Sequence, residues 1–274
     1  MAVSGNLRKM VTELSSDVQY HLPLGDERVH LNPLIGSHLT LSFTGVINCI
    51  ECDRKSNKSF SQGYCFPCFR RLAACDSCIV SPEKCHYDAG TCREPDWAQS
   101  HCFVDHIVYL ANTSGVKVGI TRHSQVPTRW MDQGATQAKP IARVQHRQLS
   151  GLLETALAKH VKDKTAWQTM LKGNGEAVSL EEKRQELMSL CEDDILALQD
   201  RFGLQALQLL EDEPTVSINY PVVEFPTKVS AHNFDKNPLV EGKLMGIKGQ
   251  YLLLDTGVLN IRKFGGYHIE LETR

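Results

Sequence analysis

Nine of the ten cysteines in this 274-residue chain lie between Cys49 and Cys102. That stretch shows little hydrophobic periodicity, so it cannot build a large apolar core and needs a cross-link or a metal to hold one fold. Two Cys-x-x-Cys pairs open it: CIEC (Cys49, Cys52) and CFPC (Cys65, Cys68), with twelve residues between them. Paired thiolates at that spacing supply a tetrahedral zinc ribbon, with sulfur–metal distances of about 2.3 Å. Clustered thiols in a reducing compartment point to metal sooner than to disulfides. Four buried reduced cysteines are the alternative.

Five more cysteines follow. They are CDSC (Cys75, Cys78), then Cys85, Cys92 and Cys102, with His86 and His101 beside two of them. More than four candidate ligands leave the choice open. The expected second zinc site uses Cys75, Cys78, Cys85 and Cys92. Cys102 either replaces one of these or is a buried thiol, and the two sets could interleave. A four-thiolate iron–sulfur cluster is the lesser alternative. The tenth cysteine, Cys191, sits in an acidic helical stretch and reads as a core residue. A four-cysteine site has no open coordination position, so both metals are expected to be structural. Around the first pair of motifs stand Arg54, Lys55, Lys58, Arg70 and Arg71, with Phe60, Tyr64, Phe66 and Phe69. Such a set suits phosphate contacts and base stacking, or a small aromatic core.

Composition is that of an ordinary soluble protein: 42% hydrophobic, 23% charged, net charge -2. No global field draws in nucleic acid or membrane. The N-terminal MAVSGNLRKMVTELSS has no apolar run of a signal peptide, and no eighteen-residue apolar window predicts a membrane span. A cytoplasmic protein is expected.

The predicted fold class is α+β, in five parts: an N-terminal β segment (1–48), the cysteine-rich module (49–105), a mixed α/β domain (106–175), an acidic helical segment (176–213) and a C-terminal β domain (214–274). The two β-rich ends suggest one small β-barrel assembled from both termini, although two separate modules would give the same strings. A helix is predicted from Ser150 to Leu171, with Leu153, Ala156, Leu157 and His160 at helical spacing, ended by Gly173 to Gly175. Ser179 followed by Glu182 reads as a capping box. Residues 176–213 hold eleven acids and three Lys or Arg, a balance of -8. That pattern reads first as a solvated helical face, and second as a docking face for a protein partner.

VYLANTSGVKVGITR, Val108 to Arg122, reads as a hairpin: β-branched and aromatic runs flank the turn formers NTSG. A Gly inside the second strand marks a bend or a close approach to the backbone. With the later PTRW and GLLETALAKH, the stretch resembles the GIY-YIG superfamily over residues 106–162. It is closest to the branch whose second motif reads lysine-isoleucine-glycine. The entire chain, including CHYDAGTCREPDW and RWMDQGA, also resembles an uncharacterised bacterial domain-of-unknown-function family, which implies no activity.

The superfamily resemblance implies a nuclease-like domain with Tyr109 in the first motif and Lys117 opening the second, where many members have tyrosine. It implies Arg129 as the helix arginine and Glu154 as the ligand of Mg²⁺ or Mn²⁺, with Arg122 just after the second motif. In phosphodiester cleavage, the metal and Arg129 would offset charge on the phosphate, Tyr109 would orient or activate water, and Gly119 would admit the phosphate to the strand. Residues 117–147 carry six Lys or Arg against one acid, Asp132, a local +5. Lys117 in place of a phenol leaves open a non-catalytic nucleic-acid-binding module, and a protein-interaction module is a further alternative. Asp132 and Gln133 could line the cleft or cap the helix, with capping the favoured reading. His123, His146 and His160 are possible general bases, and His160 falls off the Glu154 face by about 120°, so it is not expected as a co-ligand.

Overall fold

The computed structural model describes residues 2–161 and 166–274. Strands β1 (Ala2–Asn6), β2 (Val11–Glu13), β3 (Gln19–Leu24), β4 (Glu27–His30) and β5 (His38–Ile47) come first. The cysteine-rich stretch holds two short helices, α1 (Phe66–Arg71) and α2 (Pro95–His101). The hairpin strands β6 (His106–Asn112) and β7 (Val116–Arg122) follow, then α3 (Thr128–Asp132), β8 (Gln137–Val144) and α4 (Arg147–Ala158). Helices α5 (Trp167–Met170), α6 (Leu180–Leu190) and α7 (Glu192–Phe202) lead to β9 (Leu207–Leu209) and β10 (Val216–Ser217). The chain closes with β11 (Leu239–Lys248), β12 (Tyr251–Leu254), β13 (Gly257–Asn260) and β14 (Tyr267–Thr273).

The fold is mixed α+β, with several sheets. Both chain ends meet in one six-stranded antiparallel sheet, ordered β1-β14-β5-β11-β12-β13. The predicted barrel does not close: β1 and β13 end an open order instead of pairing with each other. Each edge is covered by something else. Gly5 on β1 lies so close to the β3–β4 turn that a Cβ there would sit 2.3 Å from the Gly25 nitrogen. On β13, Val258 donates to Ser230 O (2.8 Å) and accepts from the His232 N–H (2.9 Å). Covering an edge with another segment removes the need for closure. The strands β1 and β2 were not legible in the sequence, being short and polar or glycine-bearing.

The second sheet runs β10-β8-β6-β7, with β9 also on β8. All seven residues of β6 are buried. Strand alternation sends Ile107, Tyr109 and Ala111 to the core shared with the terminal sheet, which also holds Trp130, Met131, Leu244 and Ile269. Val108 and Leu110 face the opposite core, packed by Leu149, Leu153 and Leu157 of α4 and by Leu180, Leu187 and Ile195 of α6 and α7. Burial on both faces explains the unbroken apolar run in VYLA.

Helix α4 differs from the prediction. It starts at Arg147 and ends at Ala158, and the predicted residues 162–165 lie outside the described residues. The last turn tightens through His160 N–H to Leu157 O (3.1 Å), an ending that short i→i+3 bonds favour. Met170 and Leu171 belong to the separate α5 segment. At the other end, His146 Nδ1 accepts from the Leu149 N–H (3.2 Å), so this imidazole caps the helix. Ser179 caps α6 as predicted, accepting from the Glu182 N–H (3.2 Å). No helix among the described residues is long and apolar enough to cross a membrane.

Candidate functional site

The first cysteine cluster is built by two different devices. The Cys49 N–H donates to Arg54 O and the Asp53 N–H to Cys49 O, both at 3.0 Å, closing a knuckle that turns the Cys49 and Cys52 thiols to one side. Asp53 completes the reversal at φ +56°, a conformation aspartate tolerates better than most residues. The second pair does not sit on a matching knuckle. Cys65 is the N-cap residue of α1 and Cys68 lies in its first turn, with Pro67 at a position whose N–H has no helical partner. The site is therefore a knuckle facing a helix start, where the sequence suggested a two-knuckle ribbon.

The four sulfurs all lie within 4.8 Å of one another. Cys52 and Cys65 Sγ are 3.8 Å apart, and the Cys65 N–H donates to Cys49 Sγ at 3.2 Å. Burial works against the Cys49 thiolate, but the backbone N–H groups of Cys52, Cys65 and Glu51 outweigh it and bring that thiol down to about 6. Burial and the three neighbouring thiols drive Cys68 up to about 12. A set this close cannot carry four negative charges without a cation, and four thiolates are the donor set of structural zinc. The buried neighbourhood is small: Cys49, Cys65, Cys68 and Leu72, with Tyr64 and Cys75 against them. Such a cluster fits a structural zinc ion.

The knuckle is pressed onto the joined chain ends. The Asn48 N–H and Asn6 Nδ2 both donate to Gly266 O at 2.8 Å, and Arg8 Nη1 donates to Ile50 O at 2.7 Å. Gly266, at φ +85°, leaves no room for a side chain: a Cβ would lie 2.2 Å from Asn48 O.

The outer face of this finger is basic and aromatic. Phe60 stacks on Phe69 with centroids 5.6 Å apart and meets Phe66 at 5.5 Å, while Phe66 keeps 53% of its surface exposed. Arg54, Lys55, Lys58, Arg70 and Arg71 are all exposed. Arg54 hydrogen-bonds the Cys52 sulfur, and Lys58 Nζ lies 5.6 Å from the centre of the Phe60 ring.

The hairpin residues are arranged otherwise. Tyr109 pairs directly across from Gly119. Its ring occupies the space beside that glycine: a Cβ on Gly119 would sit 2.6 Å from Tyr109 Cζ and 2.7 Å from its hydroxyl. The glycine makes room for the tyrosine, not for a phosphate. Tyr109 is fully buried, and burial pushes its phenol up to about 12 against the opposing influence of Arg129, with Glu154 and Asp132 adding to the rise. The Gln133 amide bridges the pair: its nitrogen donates to the Tyr109 hydroxyl (2.8 Å), and its oxygen accepts from Arg129 Nη2 (3.1 Å) and Nε (3.2 Å). Asp132 ties the domain to the rest of the chain, accepting from Lys9 Nζ and from Gln250 Nε2 (2.9 Å). Gln133 is the C-cap residue of α3, its N–H donating to Arg129 O (3.3 Å), while the side chains of Asp132 and Gln133 are engaged elsewhere.

The structure thus gathers Tyr109, Arg129 and Gln133, with Glu154 within electrostatic reach from α4. Lys117 lies opposite Ala111 and shares the Tyr109 face by strand alternation. Arg122 falls on the other face, where its charge acts on Cys102 and His106.

The local +5 does not form a basic surface. Lys139 is buried, 3.0 Å from Glu181 Oε2, and also donates to Glu213 O. Arg143 Nε donates to Asp105 Oδ2 at 2.8 Å. Arg147 Nη2 donates to Ile79 O at 2.6 Å. Lys139 and Arg147 are drawn into the fold and Arg143 is paired at its surface, each by a residue distant in sequence.

No curated protein and no solved structure matches this chain. A family model described as a protein of unknown function (DUF2797) matches residues 36–269, most of the sequence, and the chain belongs to that family.

Proposed function

We propose that this protein binds nucleic acid through its zinc-stapled cysteine finger. One observation carries the reading: the finger exposes five cations together with a phenylalanine stack whose outermost member, Phe66, is half exposed. Lys55, Lys58, Arg70 and Arg71 make no ion pair with an acid among the described residues. Unpaired cations meet phosphates at low desolvation cost, and an exposed ring offers a base a stacking platform. Zinc on Cys49, Cys52, Cys65 and Cys68 supplies the fold of this surface and takes no part in contact.

A second reading concerns the hairpin. Strand β6 lies between β7 and β8, α3 brings Arg129 beside Tyr109, and α4 carries Glu154. This arrangement favours metal-assisted phosphodiester cleavage, with Glu154 holding Mg²⁺ or Mn²⁺ and Arg129 contacting phosphate. Tyr109, buried against Gln133, is then a positioning residue and does not itself activate water.

Fluorescence anisotropy with single- and double-stranded DNA and RNA separates these readings. Binding should weaken as salt rises, and the combined Phe66→Ala, Arg70→Ala, Arg71→Ala variant should lose about tenfold or more in affinity. Unchanged binding by that variant would exclude the finger as the interface. Cleavage of the same oligonucleotides with Mg²⁺ or Mn²⁺, abolished by Glu154→Ala, would support the second reading.

A further inference from the structure

We propose that Cys78, Cys85, Cys92 and Cys102 together bind one thiophilic divalent cation, zinc, at a closed structural site separate from the finger. All four residues line a single cavity of about 20 Å³, whose other walls include Asp76, His86, Trp97 and Phe103. That volume holds one ion, or one water. Four cysteines lining one small, largely apolar cavity are a donor set without an evident packing role, and a tetrahedral zinc site uses four.

The thiols feel one another. Burial raises Cys78 to about 11, and the charges of Asp76, Cys85, Cys102 and Cys92 add to the rise. Cys102 is also raised, by burial first, with Cys85 and Cys92 contributing and Arg147 and Arg122 opposing. Binding a divalent ion releases the thiol protons to solvent and removes this mutual repulsion. Cys75 is not part of the set. It packs against the finger cluster beside Tyr64, and Cys49 and Glu51 are the acidic groups that raise its thiol beyond the effect of burial.

Asp76, Cys78 and His86 also place ligand atoms within 4.8 Å of one another. The side chains of Asp76 and His86 have other work. Asp76 Oδ2 accepts from Arg93 Nε (2.9 Å) and lies 3.4 Å from His86 Nε2, and Oδ1 accepts from the Ser77 N–H (2.6 Å). His86 Nδ1 lies 2.8 Å from Thr91 Oγ1. These bonds fix the rim of the cavity, and a trio of Asp, Cys and His would leave three of the lining cysteines unused.

The ion would fasten the cysteine-rich loop to α4. The Arg147 N–H donates to Cys102 O (2.7 Å), Arg147 Nη2 reaches Ile79 O, and a Cβ on Gly151 would lie 2.7 Å from the Glu83 nitrogen. The site does not rest on the nucleic-acid reading.

Zinc content of the full chain, measured by plasma mass spectrometry and native mass spectrometry, tests it. Wild type and the Cys75→Ser and His86→Ala variants are expected to carry two zinc ions each, and Cys102→Ser and Cys49→Ser one each. Loss of an ion from Cys75→Ser or His86→Ala, with two retained by Cys102→Ser, would overturn the assignment. Alkylation mapping of wild type does not depend on variants folding. Chelation should expose Cys78, Cys85, Cys92 and Cys102 together, whereas a Cys102 that reacts equally with and without chelator would contradict the site.

Discussion

The finger and the hairpin are both cationic in sequence, yet the fold treats their charges in opposite ways. In the finger, Lys55, Lys58, Arg70 and Arg71 stay exposed above a small buried cluster of Cys49, Cys65, Cys68 and Leu72. In the hairpin sheet, packed on both faces, Lys139 and Arg147 are drawn inward and Arg143 is clamped by Asp105. A region that a metal would hold can leave its surface free for a ligand. A region held by apolar packing must satisfy whatever polar groups the packing encloses.

The largest expected difference lies in what holds each region. Chelation or Cys49→Ser should unfold the finger, a loss on the order of 10 kcal/mol for a structural zinc site. Hydrogen exchange should then show free exchange over residues 49–71 while β6 stays protected. Loss of protection in β6 to the same degree would merge the two regions into one folding unit.

Acid tests the hairpin instead. His106 is fully buried, and burial first, then Arg147 and Arg122, lowers it to about 4, although its contact with Val104 O pulls the other way. The folded pKa lies below the unfolded value of about 6.5, so the unfolded chain binds the extra proton between those values. Stability should fall as pH drops from about 6.5 to about 4, by roughly 3 kcal/mol. Denaturant titrations of His106→Asn should lack that part of the slope; an identical slope in both proteins would refute the burial argument.

Gly119→Ala forces a methyl group into Tyr109 and should cost about 1–3 kcal/mol, read from denaturant midpoints. A neutral result would mean that the tyrosine ring moves freely. Phe66→Ala should weaken nucleic-acid affinity by about 1–3 kcal/mol while leaving the thermal midpoint in place. The smallest effect belongs to Arg143→Ala: under about 1 kcal/mol of stability, with oligonucleotide affinity unchanged.

Local signals were legible where local physics decides. The β6–β7 hairpin follows from alternation around NTSG, the α6 start from Ser179, and the finger from two Cys-x-x-Cys pairs. What failed depends on partners distant in the chain. Nothing near Lys139 announces Glu181, and nothing near Gly119 in sequence says that Tyr109 will fill its space. The open sheet needed Gly5 to meet Gly25 and residues 230–232 to cover β13. Predicted helix α4 ran too far because spacing alone does not mark where the last turn tightens.

Photocrosslinking of the zinc-loaded chain to a bound oligonucleotide, with the attached peptides identified by mass spectrometry, tests the central claim most directly. Crosslinks on residues 54–71, concentrated at Phe66, are the expected result. Crosslinks confined to Lys117, Arg129 and the α4 segment would place the interface on the hairpin and contradict the account.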